Sequence, residues 1–218
     1  MNFFNINHVF FSILHYPVSY IEFIGSIAGI IAVWLAAKSK LLTWPIGIIN
    51  IVLFFFIFWQ VQLYSDMFLQ IYFFGISLYG WHNWKREKQD TIPIKILSNR
   101  SRINNLILIL IASIFFGYIV SNLPQYFPAI FNKPAAFPYL DTFVGVSSIV
   151  ANTLMAKRIM ENWLLWIAIN IVCVGLYLAK DIAFVALEYF VFLILAVVGH
   201  VSWQAERNKL ISLQIHKK

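Results

Sequence analysis

The sequence predicts a polytopic membrane protein built of α-helices, with seven spans. The first of three observations behind this is composition: of 218 residues, 61% are hydrophobic and only 11% charged, against about 25% charged in a soluble domain. The second is that the apolar residues gather in stretches long enough to cross about 30 Å of hydrocarbon, with Lys, Arg, Pro or Asn at their ends. Such spans must be helical, because lipid offers no hydrogen-bond partner to an open backbone. The third is that the basic residues fall on one side of the membrane once the spans are drawn.

Taken in order, residues 1–17 open with an aromatic stretch, MNFFNINHVFFSILHY, too short to span. It lacks the charged start and small-residue cleavage site of a secretory signal, so it is expected to be retained as a helix lying in the interface. Spans are expected at 20–37, 43–59, 62–84, 103–122, 140–156, 162–178 and 182–203. The chain thus divides into a first three-helix repeat (18–84), a basic loop (85–102), a linker helix (103–122), an external loop (123–139), a second three-helix repeat (140–204) and a basic tail (205–218). The external loop and its flanks carry Pro124, Pro128, Pro134 and Pro138, residues that cost nothing where no helix interior is interrupted.

With the N-terminus outside, 14 of the 16 Lys and Arg residues face the cytoplasm and only Lys133 and Lys180 lie outside, as the positive-inside rule requires of short loops. The formal charge of +7 is therefore a topology signal and not the basic stripe of a nucleic-acid binder. Cys173 is the sole cysteine, which rules out an intramolecular disulfide and a cysteine metal cluster. His82 and His200 have no metal-ligand spacing, and the chain contains no GxSxG, P-loop or GxGxxG, so hydrolase, ATPase and dinucleotide-enzyme readings lack their sites and no cofactor is implied.

Laid over itself at an offset of 119, the chain superposes Glu22 on Asp141, Leu35 on Leu154, Lys38 on Lys157, Trp44 on Trp163, Gly80 on Gly199 and Trp84 on Trp203. This predicts an internal duplication. One intervening span gives both halves the same direction, and parallel repeats of that kind hold their site at the midplane between halves.

The richest motif is ENWLLWIAIN, where Trp163, Trp166 and Asn170 fall at i, i+3 and i+7 on one helical face. Two indoles and an amide can stack a flat ring and bond its substituent, and a cationic ring gains about 2 kcal/mol if desolvated. The alternative is that Trp163 belongs to the interfacial aromatic belt while Trp166 and Asn170 serve helix packing. In the first half LLTWPIGIIN supplies Trp44, Gly47 and Asn50, with Pro45 at a helix start. The third span adds Asp66, Gln70 and Tyr79, and the seventh adds Glu188 and Tyr189. An ionisable group in the membrane implies a partner or a water-filled path, so Glu188 is a candidate for ligand contact or for pairing with another helix. Glu22, Asp66 and Asp141, near helix ends, fit structural or gating roles.

These segments, together with DTFVGVSSIVANTLMAKRIMENWLLWIAIN, resemble those of the PnuC family of vitamin transporters over about Glu22 to Trp203. The resemblance implies a three-plus-one-plus-three, SWEET-like helix arrangement, a homotrimer in the bacterial inner membrane, and facilitated diffusion of nicotinamide riboside trapped by a cytoplasmic kinase. It also implies that Trp163, Trp166 and Asn170 bind the nicotinamide ring and its amide, with Asn50, Gln70 and Glu188 adding polar contacts. Asn152, in VANTLM, stands where family members often have Gln. Related members carry thiamine or riboflavin, which are also flat heteroaromatics, and a substrate-capturing subunit of an ATP-driven importer is the other reading.

Overall fold

The computed structural model describes residues 4–13, 16–61, 64–86, 94–127, 135–179 and 183–215. Of the expected features, Lys88, Lys133, Lys180, Lys217, Lys218, Pro128 and Pro134 lie outside those residues. Seven helices follow a short hairpin: α1 (Tyr20–Ala37), α2 (Thr43–Gln60), α3 (Tyr64–Arg86), α4 (Asn99–Tyr126), α5 (Pro138–Ala156), α6 (Glu161–Ala179) and α7 (Ala183–Ile215).

The N-terminal segment is not the interfacial helix that its aromatic residues suggest. It forms two antiparallel strands, β1 (Val9–Ile13) and β2 (Tyr16–Ser19), paired Ser12 to Pro17 and Ile13 to Tyr16. β-Branched and aromatic residues favour strands, and Pro17 is incompatible with a helix interior. Upstream, the Gln60 amide at the end of α2 donates to the Phe4 carbonyl (2.6 Å) and accepts from the Ile6 amide (3.2 Å).

Helix α1 starts at a capping box: the Ser19 hydroxyl accepts from the Glu22 amide (3.3 Å) while the Glu22 carboxylate reaches back to the Ser19 amide (3.4 Å). It buries a face of small residues, Gly25, Ser26, Ala28, Gly29, Ala32 and Ala36, which lets backbones approach closely. Ser98 likewise caps α4, accepting from the Ser101 amide, so that helix begins at Asn99, ahead of the expected 103. At the other end α7 runs on to Ile215, through the region expected to be a tail.

Five of the seven helices, α1, α2, α4, α6 and α7, contain stretches long and apolar enough to cross a membrane. The other two, α3 and α5, carry polar residues that they present to one another: the Tyr72 hydroxyl lies 2.5 Å from the Thr153 hydroxyl and donates to the Ile149 carbonyl, and the Asn83 amide donates to the Ala156 carbonyl (3.0 Å). Neighbouring helices pack α1 on α2, α2 on α3, α5 on α6 and α6 on α7, while α1 meets α7 and α3 meets α5. α4 packs on α5 and exposes Leu106, Leu110, Ile111 and Phe115, as a helix against lipid would.

The duplication extends to backbone and packing. Ser39 and Arg158, 119 residues apart, are the two non-glycine residues with positive φ among those described, at 54° and 53°. Each ends its helix the same way, with Lys40 donating back to Leu35 and Ile159 back to Leu154, both at 2.9 Å, the six-to-one bond of a Schellman-type cap. Trp44 lies edge-on to Trp84 (5.2 Å between centroids, 88°), and Trp163 edge-on to Trp203 (5.6 Å, 88°). Gly80 and Gly199 give these rings room: a Cβ on Gly199 would come within 2.6 Å of three atoms of Trp163, and one on Gly80 would overlap Trp44 more closely still.

Candidate functional site

The interior is organised between two chemically different ends. The end that carries Lys38, Lys40, Lys85, Arg86 and Lys157 is closed by a single cluster drawn from both halves, containing Trp44, Trp84, Met160, Trp163 and Trp203. The guanidinium of Arg158, fully buried, stands 5.0 Å from the Trp84 ring and 5.6 Å from the Trp203 ring. Its Nη2 meets Glu206 Oε1 at 2.6 Å and donates to the Ser39 hydroxyl at 3.3 Å, and Ser39 in turn donates to Glu206 Oε2 at 2.6 Å. The Trp203 indole N–H donates to the Ala36 carbonyl at 2.9 Å. A buried cation is tolerated only when paired, and here its partners come from the α1–α2 turn, α3 and α7 together.

The opposite end holds Glu22, Asp66, Asp141 and Glu188, with no Lys or Arg among its described residues. Glu188 lies beside Ser26 of α1, within the electrostatic reach of Glu22, and the charges of Asp66 and Asp141 both bear on Tyr177. Tyr177 and Tyr189 stack, 5.3 Å apart and 14° from parallel. Above them Tyr16 of the hairpin donates to Glu22 Oε1 at 2.8 Å. Burial first, then that bond and the Glu22 charge, hold its hydroxyl well above the usual phenol range.

Between these ends, α6 distributes the expected stripe over different surroundings. Trp163, at 1% exposure, is walled into the tryptophan cluster. Trp166, half-buried one turn on, touches that cluster and also a second one formed by Ala151, Ile169 and Cys173, onto which Tyr177 and Tyr189 pack. Asn170 is buried, about 14 Å along the axis from Glu161, and so near the middle of the helix. Asn50 donates its amide to the Gly25 carbonyl at 2.8 Å, tying α2 to α1. Trp44 repeats the walled-in environment of Trp163.

Other expected residues are not gathered here. Gln70 lines a shallow apolar groove between α2 and α3 beside Phe55 and Phe74. Tyr79 is 46% exposed on the outer face of α3. Asn152 is half-buried on α5. The sequence reading missed the Arg158 assembly and the Tyr177–Tyr189 stack. The first was legible as a basic residue at the duplicated position of Ser39, the second as tyrosines on consecutive helices.

In fold the chain is similar to the crystal structure of the vitamin B3 transporter PnuC, with a TM-score of 0.64 at 24% identity over 87% of this chain and 83% of that one. Bilayer-length helices around a buried aromatic and amide face, closed at one end and acidic at the other, define a helical membrane transporter. More narrowly, residues 19–205 match the family described as nicotinamide mononucleotide transporter, and the chain belongs to that family. It is 31% identical to the nicotinamide riboside transporter PnuC of Escherichia coli (strain K12), over 93% of this chain and 94% of the relative. It is 26% identical to the protein of that name from Neisseria mucosa, over 86% and 73%. It is also 24% identical to the riboflavin/roseoflavin transporter RibM of Streptomyces davaonensis, over 84% and 83%.

Proposed function

We propose that this protein carries nicotinamide riboside across the bacterial inner membrane by facilitated diffusion. Seven spans in a SWEET-like three-plus-one-plus-three arrangement, the N-terminus outside and the C-terminus cytoplasmic, make the acidic end the entrance and the Arg158 end the exit. The observation that carries the reading is Trp166, half-buried between the tryptophan cluster and the tyrosine pair with Asn170 one turn further in. The pyridinium ring stacks on Trp166, where a desolvated cation–π contact contributes about 2 kcal/mol. The amide of Asn170 pairs with the carboxamide, and Glu188 with Ser26 faces the ribose side. Trp163 supports Trp166 from behind rather than touching the ring.

The four carboxylates at the entrance favour a cation and disfavour a phosphate. This supports the unphosphorylated riboside over the mononucleotide of the family's description. Release requires Trp84 of the first half to part from Arg158, and Ala36 from Trp203, so the exit opens by separating the two halves. A cytoplasmic kinase then traps the product, and the working unit is a homotrimer. Riboflavin or thiamine is the second reading, supported by the RibM relative.

The test is a thermal-shift panel on purified protein with nicotinamide riboside, its mononucleotide, thiamine and riboflavin, since a ligand stabilises the fold by RT ln(1 + [L]/Kd). A shift with the riboside alone supports the assignment. A larger shift with the mononucleotide or riboflavin overturns it.

A further inference from the structure

A second cleft lies at the basic end, outside the bundle interior, where the segment entering α4 crosses beneath α6 and α7. That segment is pinned as a strap: Lys95 donates to the Arg158 carbonyl and accepts from the Met160 amide, both at 2.9 Å. The cleft is walled by Arg102, Glu161, His200, Gln204 and Arg207 over a floor of Ile96, Met160 and Leu164. His200, Gln204 and Arg207 fall at i, i+4 and i+7 and so share one face of α7.

The charges in it do not balance. The Glu161 carboxylate is engaged by Arg102 through Nε and Nη2, both at 2.8 Å from Oε1, and by the Leu97 amide at 3.1 Å. Glu206, next to Arg207 in sequence, is turned to Arg158. Arg207 makes no ion pair among the described residues, which leaves one guanidinium uncompensated beside an amide and an imidazole. Ile96 (44%) and Leu164 (51%) are exposed at the same place.

We infer that this cleft binds the phosphodiester headgroup of an anionic phospholipid, with Arg207 and Gln204 on the phosphate and an acyl chain along Ile96 and Leu164. Basic pockets between helices on the cytoplasmic side suit such headgroups, and the apolar floor distinguishes a lipid from a free anion. The first half repeats this only in part: 119 residues before His200 and Glu161 stand Trp81 and Leu42, while Gln204 and Arg207 fall on Lys85 and Lys88. The cleft lies outside the bundle interior and so off the substrate path.

The full chain in a neutral detergent is titrated with phosphatidylglycerol, phosphatidylcholine or glycerol 3-phosphate, and binding is followed by thermal shift and native mass spectrometry. Phosphatidylglycerol alone should bind and stabilise. Arg207→Gln should lose about fivefold in apparent affinity, the share of one Arg at an anionic surface, while keeping the lipid-free melting temperature because no ion pair is broken. Gln204→Glu, which sets a carboxylate three residues from Arg207, is the second variant and should lose at least as much. Equal stabilisation by phosphatidylcholine, unchanged affinity in both variants, or an equal shift with glycerol 3-phosphate would each overturn the inference. Because the readout is binding rather than uptake, its failure leaves the transport reading untouched.

Discussion

Neutralising Glu206 tests whether the network that Arg158 and Glu206 of the second half form with Ser39 of the first holds the two halves together at the basic end. The pair is 2.6 Å apart, with the Arg158 side chain 0% exposed and that of Glu206 32% exposed. Removing one partner of a fully buried pair costs about 3 to 5 kcal/mol because the other charge is stranded. Glu206 is one-third in solvent, so screening trims the expected cost of Glu206→Gln to about 2 to 3 kcal/mol. For a chain of this size that is a fall in Tm of about 4 to 12 °C, read by thermal unfolding in detergent. Adding Arg158→Met to Glu206→Gln removes the stranded charge, so the double variant should recover part of the loss, and the coupling between the two positions should be well above zero. Both single variants should also speed passage relative to binding, since the exit parts more easily. A Tm for Glu206→Gln within about 1 °C of the parent, or strictly additive effects, would refute the lock.

Gly199→Ala and Gly80→Ala should each cost about 1 to 3 kcal/mol through overpacking against Trp163 and Trp44, whereas Gly175→Ala, where an added Cβ meets nothing within 4 Å, should be near neutral in the same unfolding assay. Trp166→Ala should abolish saturable uptake while leaving the melting temperature within a few degrees of the parent, and retention of saturable uptake would remove Trp166 from the site. Tyr16 is held protonated by burial and by Glu22. Its contribution is therefore complete below the free phenol value of about 10 and is lost as pH rises beyond it. Hairpin protection from amide exchange should fall above that pH in the parent but show no such step in Tyr16→Phe.

The helices were legible because local and global signals agree. Ser19 and Glu22 announce the start of α1 in the chain itself, and the pairs Trp44 with Trp163 and Gly80 with Gly199 mark a duplication that packs as its spacing implies. The hairpin was not, since Val9, Phe10 and Phe11 suit a strand or an interfacial helix alike and only pairing with Tyr16, Pro17 and Val18 decides. The extent of α7 was obscured by its charges, because Glu206 reads as solvated tail until Arg158 is seen buried opposite it. The site was legible in part: the i, i+3, i+7 stripe is real on the helix, yet Trp163 and Trp166 face different neighbours because α7 supplies Gly199 at one level and Tyr189 at another. No single-helix pattern reports which helix lies across. Tyr79 and Gln70 failed to converge for the same reason, α3 having turned those positions outward or into the groove with α2.

On this reading the chain alone passes an unphosphorylated pyridinium nucleoside through its interior. Counterflow in liposomes containing only the purified protein, with internal nicotinamide riboside unlabelled and external riboside labelled, decides it. Transient, saturable accumulation of label that is insensitive to excess mononucleotide and lost in Trp166→Ala is the predicted result. Binding without exchange, or exchange that the mononucleotide blocks as well as the riboside does, contradicts it.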